Sequence, residues 1–316
     1  MEVPLRSITR DLATQTNLIR RCPVCGGDET DSYLRKADLK LVRCRGCGMI
    51  YANPVPPEFS SGHYYERIAG PYYLSPAKLE SDYAPVRFER ELRLFRRHCR
   101  GGAVLDVGCS SGAFLWQLRE RFPGAYSMLG TDVSGPALDY AESLGIPVAR
   151  GNFLEENFGG QHFDAITFWA VLEHVTDPSA FLVKAASLLR PAGVCLVLVP
   201  NMNSLAVRLL DARYRYILPQ HLNYFTTKTL SHIAQNRFSI VDLRSTHFNP
   251  LVLWQDWRTG GQFSEEERAR LLEQTTAYKQ NRWLRPAKGL YQLAERVLGI
   301  FTLADNLTVV LRSKGS

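Results

Sequence analysis

The 316-residue sequence contains no run of about 18 apolar residues, which is the length that a membrane-spanning helix requires. Its start, MEVPLRSITRDLATQ, also lacks the apolar block of a secretory signal. These two absences predict a cytoplasmic chain without a transmembrane segment. Disulfides are rare in that compartment, so the seven cysteines need another explanation.

A strong charge imbalance is also missing, because the formal net charge is only +7 and the basic residues are spread along the chain. This mild excess is compatible with nucleic acid, nucleotide-linked sugars or a membrane surface as partners. A solvated basic face explains it equally well. Charge alone therefore makes nucleic acid a possible but less favoured partner, and the oligomeric state is left open.

Two Cys-x-x-Cys pairs, separated by 18 residues, lie near the N-terminus: Cys22, Cys25, Cys44 and Cys47. Two tight turns that each present two thiolates supply the tetrahedral sulfur set that zinc prefers. Four cysteines close the coordination shell, so the predicted site is a structural zinc ribbon. The three other cysteines lie in or near apolar stretches and are interpreted as small buried hydrophobes: Cys99, Cys109 and Cys195.

Strand–turn–helix repeats begin at residue 103, where AVLDVG predicts a buried strand and SSGAFLWQLRERF a helix. Further strands are predicted in SMLGTDVS, IPVARGNF, FDAITFW and VCLVLVPN, with helices at PALDYAESLG and DPSAFLVKAASLL. Alternation of this kind predicts an α/β fold with a Rossmann-like, doubly wound parallel sheet. Ligands of such sheets bind beyond the carboxyl ends of the strands.

The first strand-to-helix turn, LDVGCSSG, has Gly108 and Gly112 but lacks the middle glycine of a dinucleotide fingerprint, where Ser110 stands. Asp106 disfavours a pyrophosphate there and favours a cation, such as those of S-adenosylmethionine (SAM). Asp132 follows the second strand and suits the ribose hydroxyls. The predicted cofactor-binding residues are Asp106, Gly108, Cys109, Ser110, Gly112, Asp132, Val133, Asn152, Phe153 and Trp169.

On these motifs, residues 103 to about 200 resemble a class I SAM-dependent methyltransferase. VLDVGCSSGAFL resembles the glycine motif of the family, and GTDVS its ribose-binding acid. The cysteine pairs and HLNYFT at residues 221 to 226 resemble a bacterial subgroup that includes zinc-bearing sugar C-methyltransferases. The resemblance implies a seven-stranded sheet, closed by an antiparallel pair formed from FSIVDLRSTHF and DNLTVVLRSK.

The sequence departs from the resembling families at three places. Asn152 stands where an aspartate is usual. Leu218 and Gln220 replace the tyrosine and glutamate of the sugar C-methyltransferase cluster, in which only His221 matches. Quinone-type O-methyltransferases have an additional glutamate before Glu-His for a metal, and this chain has Trp169 or Ala170 in that region. The sequence therefore does not predict a catalytic metal.

Two histidines are candidates for the base that removes the proton of the acceptor. His174 follows the fourth strand, and His221 follows the fifth, with Tyr224 beside it. Either histidine also suits a purely structural role. Tyr64, Tyr65, Tyr72 and Tyr73 are candidates for the acceptor side of the site, although tyrosines in a linker often only pack.

The predicted domains are a tail and zinc ribbon at 1–57, a linker with helices at 58–100, and the methyltransferase domain at 101–316. Residues 251–304 form a helical insertion before the last strand, interpreted as core helices, a lid or a lipid-facing surface. Methyl transfer to a small molecule is the favoured function, with a sugar, a secondary-metabolite or a cell-envelope intermediate as acceptor. An RNA methyltransferase whose ribbon grips nucleic acid and a non-catalytic SAM-binding assembly protein are the alternatives.

Overall fold

The computed structural model describes residues 17–60, 62–261, 263–280 and 285–314, which form two β-sheets and the helices around them. The predicted N-terminal tail lies mostly outside the described residues. The strands are β1 (Thr30–Lys36), β2 (Leu39–Cys44), β3 (Ile50–Ala52), β4 (Gly102–Val107), β5 (Tyr126–Asp132), β6 (Val148–Arg150), β7 (Phe163–Trp169), β8 (Leu189–Pro200), β9 (Asn223–Tyr224), β10 (Phe238–Thr246) and β11 (Asn306–Ser313).

Twelve α-helices accompany these strands within the described ranges, together with a π-helical turn at Ala69–Tyr73. They are α1 (Pro57–Ser60), α2 (His63–Ile68), α3 (Pro76–Tyr83), α4 (Glu89–His98), α5 (Ala113–Arg121), α6 (Gly135–Ser143), α7 (Pro178–Leu188), α8 (Leu205–Leu210), α9 (Thr227–Ala234), α10 (Pro250–Thr259), α11 (Glu265–Gln280) and α12 (Arg285–Ile300).

The large sheet has seven strands in the order β10-β11-β8-β7-β4-β5-β6. Strands β4 to β8 run parallel to one another, whereas β11 is antiparallel to both β8 and β10. This confirms the predicted doubly wound α/β fold and its closing antiparallel pair. The carboxyl ends of β4, β5 and β7 lie side by side, which brings the turns after these strands to one edge.

The small sheet has the order β1-β2-β3-β9, with all neighbours antiparallel. Its first three strands belong to the cysteine-bearing N-terminal segment. The fourth, Asn223–Tyr224, comes from the loop after β8, about 170 residues later in the chain. The two segments predicted as separate domains therefore share a sheet.

The local sequence explains where several helices begin. Asp177 caps α7 by accepting a hydrogen bond from the backbone of Ala180 at 2.8 Å, and Pro178 occupies the first helical position, as predicted. Thr226 and Thr229 form a reciprocal capping box at α9.

The stretch PAKLESDYAPVRFERELRLFRRHC at 76–99 has apolar residues at helical spacing, but the structure interrupts it between α3 and α4. Ala84 adopts an extended conformation, with φ −62° and ψ 136°, because it precedes Pro85. The proline cannot donate the backbone hydrogen bond of a continuous helix. Helix α2 and most of α1 also lie in the segment 58–100, which was predicted as a linker with helices.

One buried cluster extends from the ribbon into the large sheet. Cys22, Cys47 and Met49 belong to the same apolar core as Phe168 and Val199. Because these residues share one core, the ribbon is packed against the sheet and is not an independent module.

Three of the described helices, α10 to α12, lie between β10 and β11, which confirms the predicted helical insertion. The stretch SEEERARLLEQTTAYKQNRWL at 264–284 has helical spacing, and α11 follows it as far as Gln280. Residues 281–284 lie outside the described part of the chain. Across the described ranges, the helices are all too short or too polar to cross a membrane.

Candidate active site and cysteine cluster

A cavity of about 630 Å³ opens at the carboxyl ends of β4, β5 and β7. It extends from the glycine turn after β4 to helix α11 of the insertion. The predicted site residues that line it are Asp106, Gly108, Cys109, Ser110, Asp132, Val133, Asn152, Phe153, Trp169, His174 and His221. The fold thus brings together residues that are far apart in the sequence.

The glycine turn allows the backbone to approach the cavity closely. Gly108 has φ +71°, and a Cβ atom at this position would lie 2.5 Å from the side chain of Val171. Ser110 Oγ and Trp169 Nε1, which lie in the same wall, are buried without a partner in the described structure. An unpaired buried polar atom is costly, so both atoms fit a bound molecule that supplies hydrogen bonds.

Two aspartates lie on the cavity floor. Asp106 is 2% exposed and accepts a 2.6 Å hydrogen bond from Thr167 Oγ1. Burial, helped by the charge of Asp132, raises the pKa of Asp106 to about 7. Asp132 accepts hydrogen bonds from the backbones of Ser110 and Ser134, and burial raises its pKa as well. A cation in this part of the cavity would favour both carboxylates in the ionised form.

The amide of Asn152 is engaged within its own loop. Its Oδ1 accepts from the backbone of Leu154, and its Nδ2 donates to Glu155 Oε1. Phe153 is 3% exposed and packs its ring against Phe158 and other core rings. The two side chains border the cavity, but most of their contacts support the loop.

Gly112 does not line the cavity. It has φ +80° at the start of α5, and a Cβ there would lie 3.0 Å from the Cβ of Ala141 in α6. The glycine therefore permits close packing of the two helices.

Three polar side chains meet on the other side of the cavity: Glu173, His174 and His221. The two imidazole rings are perpendicular, with centroids 4.6 Å apart. Desolvation lowers the pKa of His174 to about 4 and that of His221 well below its ordinary value. Desolvation also raises the pKa of Glu173 to about 8. Glu173 Oε2 and His221 Nδ1 have no hydrogen-bond partner among the described residues.

Tyr224 lies near His221, with ring centroids 6.3 Å apart, but its hydroxyl is committed to the backbone. It donates to the carbonyl of Leu218 at 2.9 Å and accepts from the same residue's N–H at 3.3 Å. Tyr224 does not line the cavity, so this geometry gives it a role in holding the loop.

An aromatic wall closes the cavity opposite the sheet. It contains the four tyrosines singled out in the sequence, together with Tyr216: Tyr64, Tyr65, Tyr72, Tyr73 and Tyr216. The Tyr64 hydroxyl donates to Glu265 of α11 at 2.9 Å, and Arg268 of α11 lies over the Tyr72 ring. Helix α11 thus forms part of the cavity wall.

The four N-terminal cysteines form a cluster whose sulfur atoms all lie within 4.8 Å of one another. The Cys22–Cys47 and Cys25–Cys44 sulfur pairs are each 3.5 Å apart, and all four cysteines are free thiols. Ligands at the Zn–S distance of about 2.3 Å have a comparable separation in a tetrahedron. The donor set therefore fits zinc.

The two cysteine turns repeat the same backbone geometry. The N–H of Gly26 donates to Cys22, and the N–H of Gly48 donates to Cys44, each at 2.9 Å. Both glycines have positive φ values, which the turn requires. Cys99, Cys109 and Cys195 are buried, as predicted.

Arg20 connects the ribbon with the loops that carry the histidines. Its guanidinium donates to the carbonyls of Ala52 at 3.2 Å and Thr176 at 2.9 Å, and also to that of Leu222. Desolvation lowers the pKa of this arginine to about 10. Sequence reasoning missed Arg20, because no local pattern indicates which distant carbonyls it reaches. It also missed Glu173, although the adjacent His174 was a signal.

Comparisons with known proteins agree with this geometry. Residues 82–237 match the Methyltransf_23 family, described as a methyltransferase domain. The ubiquinone biosynthesis O-methyltransferase of Bradyrhizobium diazoefficiens is 30% identical over 192 residues, 54% of this chain and 71% of that protein. The protein of the same name from Glaesserella parasuis is 27% identical over 198 residues, 55% and 82% of the two chains.

Solved structures of low sequence identity were also matched. The N-methyltransferase NodS from Bradyrhizobium japonicum, in complex with S-adenosyl-L-homocysteine, aligns with a TM-score of 0.47 at 14% identity. The alignment covers 79% of this chain and 98% of that chain.

Proposed function

The chain belongs to the class I SAM-dependent methyltransferases, and on this premise we propose that it methylates an oxygen of a small-molecule acceptor. The observation that carries the proposal is that one continuous cavity joins the glycine turn to a polar cluster and an aromatic wall. One end has the features of a cofactor site, and the other has groups that can act on an acceptor.

The cofactor side is assigned to the turns after β4, β5 and β6. When bound there, SAM supplies a methyl group that its sulfonium has already activated. Asp106 would face the cationic part, Asp132 the ribose hydroxyls, and the backbone at Gly108 would contact the molecule closely. Ser110 Oγ and Trp169 Nε1 would gain the partners that they lack in the protein.

The acceptor side is assigned to the polar cluster of Glu173, His174 and His221 and to the aromatic wall. The wall excludes water and offers flat apolar surfaces, which hold a ring-bearing acceptor in one orientation. The polar cluster would receive the acceptor hydroxyl. Alignment of that oxygen with the sulfonium methyl supplies most of the rate, because the reaction is an in-line displacement.

Oxygen as the methylated atom is supported by the related sequences, whose names describe O-methyltransferases of ubiquinone biosynthesis. The sugar, secondary-metabolite and cell-envelope intermediates considered for the sequence remain candidates when they present a hydroxyl.

We also propose structural zinc for the four N-terminal cysteines, and the approximate domain limits 1–57, 58–100 and 101–316.

A basic cleft on the described surface does not favour RNA as the acceptor. It has five arginines, which come from α4, α5 and the segment between α4 and β4: Arg93, Arg96, Arg97, Arg100 and Arg121. These residues lie near the amino ends of β4 and β5, at the opposite edge of the sheet from the cavity. A nucleic acid bound there would not lead into the proposed site.

The test uses purified protein, methyl-labelled SAM and an extract of the source cells, with label counted separately in small molecules, RNA and protein. We expect label in the small-molecule fraction, and at least a tenfold lower rate for His221→Ala. The matched control is His162→Ala, because His162 is exposed and outside the cavity. Label in RNA or protein contradicts the proposal, and so does SAM binding without any transfer.

A further inference from the structure

Glu173, His174 and His221 form a ligand cluster built from two loops. Glu173 and His174 follow β7, and His221 lies just before β9. The N–H groups of Leu222 and Asn223 both donate to the carbonyl of Glu173, at 2.6 and 3.0 Å. One ligand atom from each of the three side chains lies within 4.8 Å of the others. The loops are therefore fixed to one another at the point where the three side chains meet.

Each of the three side chains has an available lone pair. Glu173 Oε2 and His221 Nδ1 are buried and without hydrogen-bond partners in the described structure. His174 Nδ1 is 3.0 Å from the carbonyl of Gln220, which can only accept. Nδ1 therefore carries the proton, and Nε2 is left as the acceptor. A backbone carbonyl in this role is the usual support of a metal-binding histidine.

The His221 ring is held by its neighbours. It lies perpendicular to the His174 ring, with centroids 4.6 Å apart, and is parallel to the Tyr216 ring, with centroids 6.3 Å apart. Its Nδ1 is buried and has no hydrogen-bond partner in the described structure, so this nitrogen is available to an ion.

We propose that Glu173, His174 and His221 bind one divalent transition-metal ion in the acceptor half of the cavity. One carboxylate and two imidazoles are a donor set used for zinc and for iron(II). Three protein ligands leave coordination positions open. The sequence has Trp169 or Ala170 where quinone-type O-methyltransferases have a metal-binding glutamate, which disfavours a metal, but the fold brings His221 from another loop to complete three ligands.

The electrostatic surroundings allow the ion. Arg268 is the cation that acts on both imidazoles, and its Nη1 contacts both carboxylate oxygens of Glu265, at 3.0 and 2.9 Å. The pairing with Glu265 offsets part of the repulsion that the charge of Arg268 would exert on a bound ion.

This inference rests on the proposed function, because it identifies how the cluster would act on the acceptor. An ion held by this cluster would bind an acceptor oxygen at an open position and favour its ionised form, and the proton would be released to solvent. Both histidines are then ligands, and the acceptor oxygen is activated by the ion.

The test adds Co²⁺ to full-length protein whose ribbon already holds one zinc per chain, as verified by metal analysis. We expect one further metal per chain, with weak visible d–d bands and no thiolate charge-transfer absorption. Glu173→Gln and His221→Ala should each weaken Co²⁺ binding at least tenfold. The matched control, Glu155→Gln with His162→Ala, changes an exposed acid and an exposed histidine and should leave Co²⁺ binding unaltered.

Co²⁺ that appears only with thiolate absorption has replaced the ribbon zinc, and this result overturns the proposal. Binding of no further metal by the wild-type protein overturns it without any need for a variant. Co²⁺ bound at the second site without methyl transfer to any acceptor leaves the metal site standing and refutes the proposed function. Full methyl transfer by protein that holds only the ribbon zinc leaves the proposed function standing and refutes activation of the acceptor by the ion.

Discussion

Asp106→Asn should make the protein more stable at alkaline pH and a weaker binder of SAM. Asparagine has almost the same shape as aspartate, and its Oδ1 can still accept the hydrogen bond from Thr167. The substitution therefore removes mainly the charge. Two opposite effects from one change are difficult to explain by general damage to the fold.

The size of the stability effect follows from the raised pKa. The pKa of Asp106 rises from 3.8 to about 7 on folding, because the carboxyl group is fully desolvated. A folded-state pKa above the unfolded value means that the unfolded chain loses this proton first, so stability falls between pH 3.8 and 7. From pH 5 to 8, this amounts to about 3 kcal/mol, at roughly 1.4 kcal/mol per pH unit.

The assay compares urea unfolding of the wild type and Asp106→Asn at pH 5 and pH 8. We expect the wild type to lose about 3 kcal/mol more than the variant between these pH values. Calorimetric titration at pH 8 should show SAM affinity reduced about 10- to 100-fold, the value of a lost charge-assisted hydrogen bond. Asp38→Asn, at an exposed position, is the control and should change neither quantity.

Equal pH dependence of the unfolding free energy in the wild type and the variant would refute the inference that the Asp106 carboxyl group is buried in its neutral form. An unchanged dissociation constant for SAM would refute the position of Asp106 beside the cationic part of the cofactor. The two readouts are independent, so the buried carboxyl group and its contact with the cofactor are tested separately.

Two further substitutions test the loops around the cavity. Arg20→Lys should lower the turnover number at least tenfold, with zinc content and SAM affinity retained, because lysine cannot reach the three carbonyls that the guanidinium joins. The assay compares initial rates of this variant with those of Arg21→Lys, a control at the exposed neighbouring position. A rate equal to that of the control would contradict the role of Arg20. Tyr224→Phe should cost about 1 kcal/mol of unfolding free energy and leave the rate within threefold, because its hydroxyl serves the Leu218 backbone. Loss of activity in a stable Tyr224→Phe protein would show that the Tyr224 hydroxyl takes part in catalysis.

The parts of the fold that the sequence predicts correctly have a local signal. The strand–turn–helix repeats, the glycine turn at Gly108 and the acid at the end of β5 all depend on neighbouring residues. The break between α3 and α4 also had such a signal in Pro85, but the charged helical pattern on both sides concealed it. Strand β8 begins at Leu189, five residues before the predicted start at Val194.

The contacts that join the ribbon to the active site have no local signal. Strand β9 is two residues long and has no periodicity, and its partner β3 lies about 170 residues earlier. The same holds for His221, whose neighbours suggest a reactive histidine but do not indicate that Glu173 lies beside it. Such pairs form only when the whole chain has folded.

The ribbon therefore supports the loop that carries His221 at the active site. A strand of two residues cannot hold its position alone, and β9 is held by β3 of the ribbon and by the carbonyl of Glu173. His221 lies two residues before β9, and Arg20 joins the same loop to Ala52 and Thr176. A ribbon of this size depends on its metal for folding. Zinc in the four cysteines would thus stabilise the loop that carries His221, although the zinc itself is closed to substrate. This arrangement explains why a ribbon lies in the chain without any need for it to grip nucleic acid.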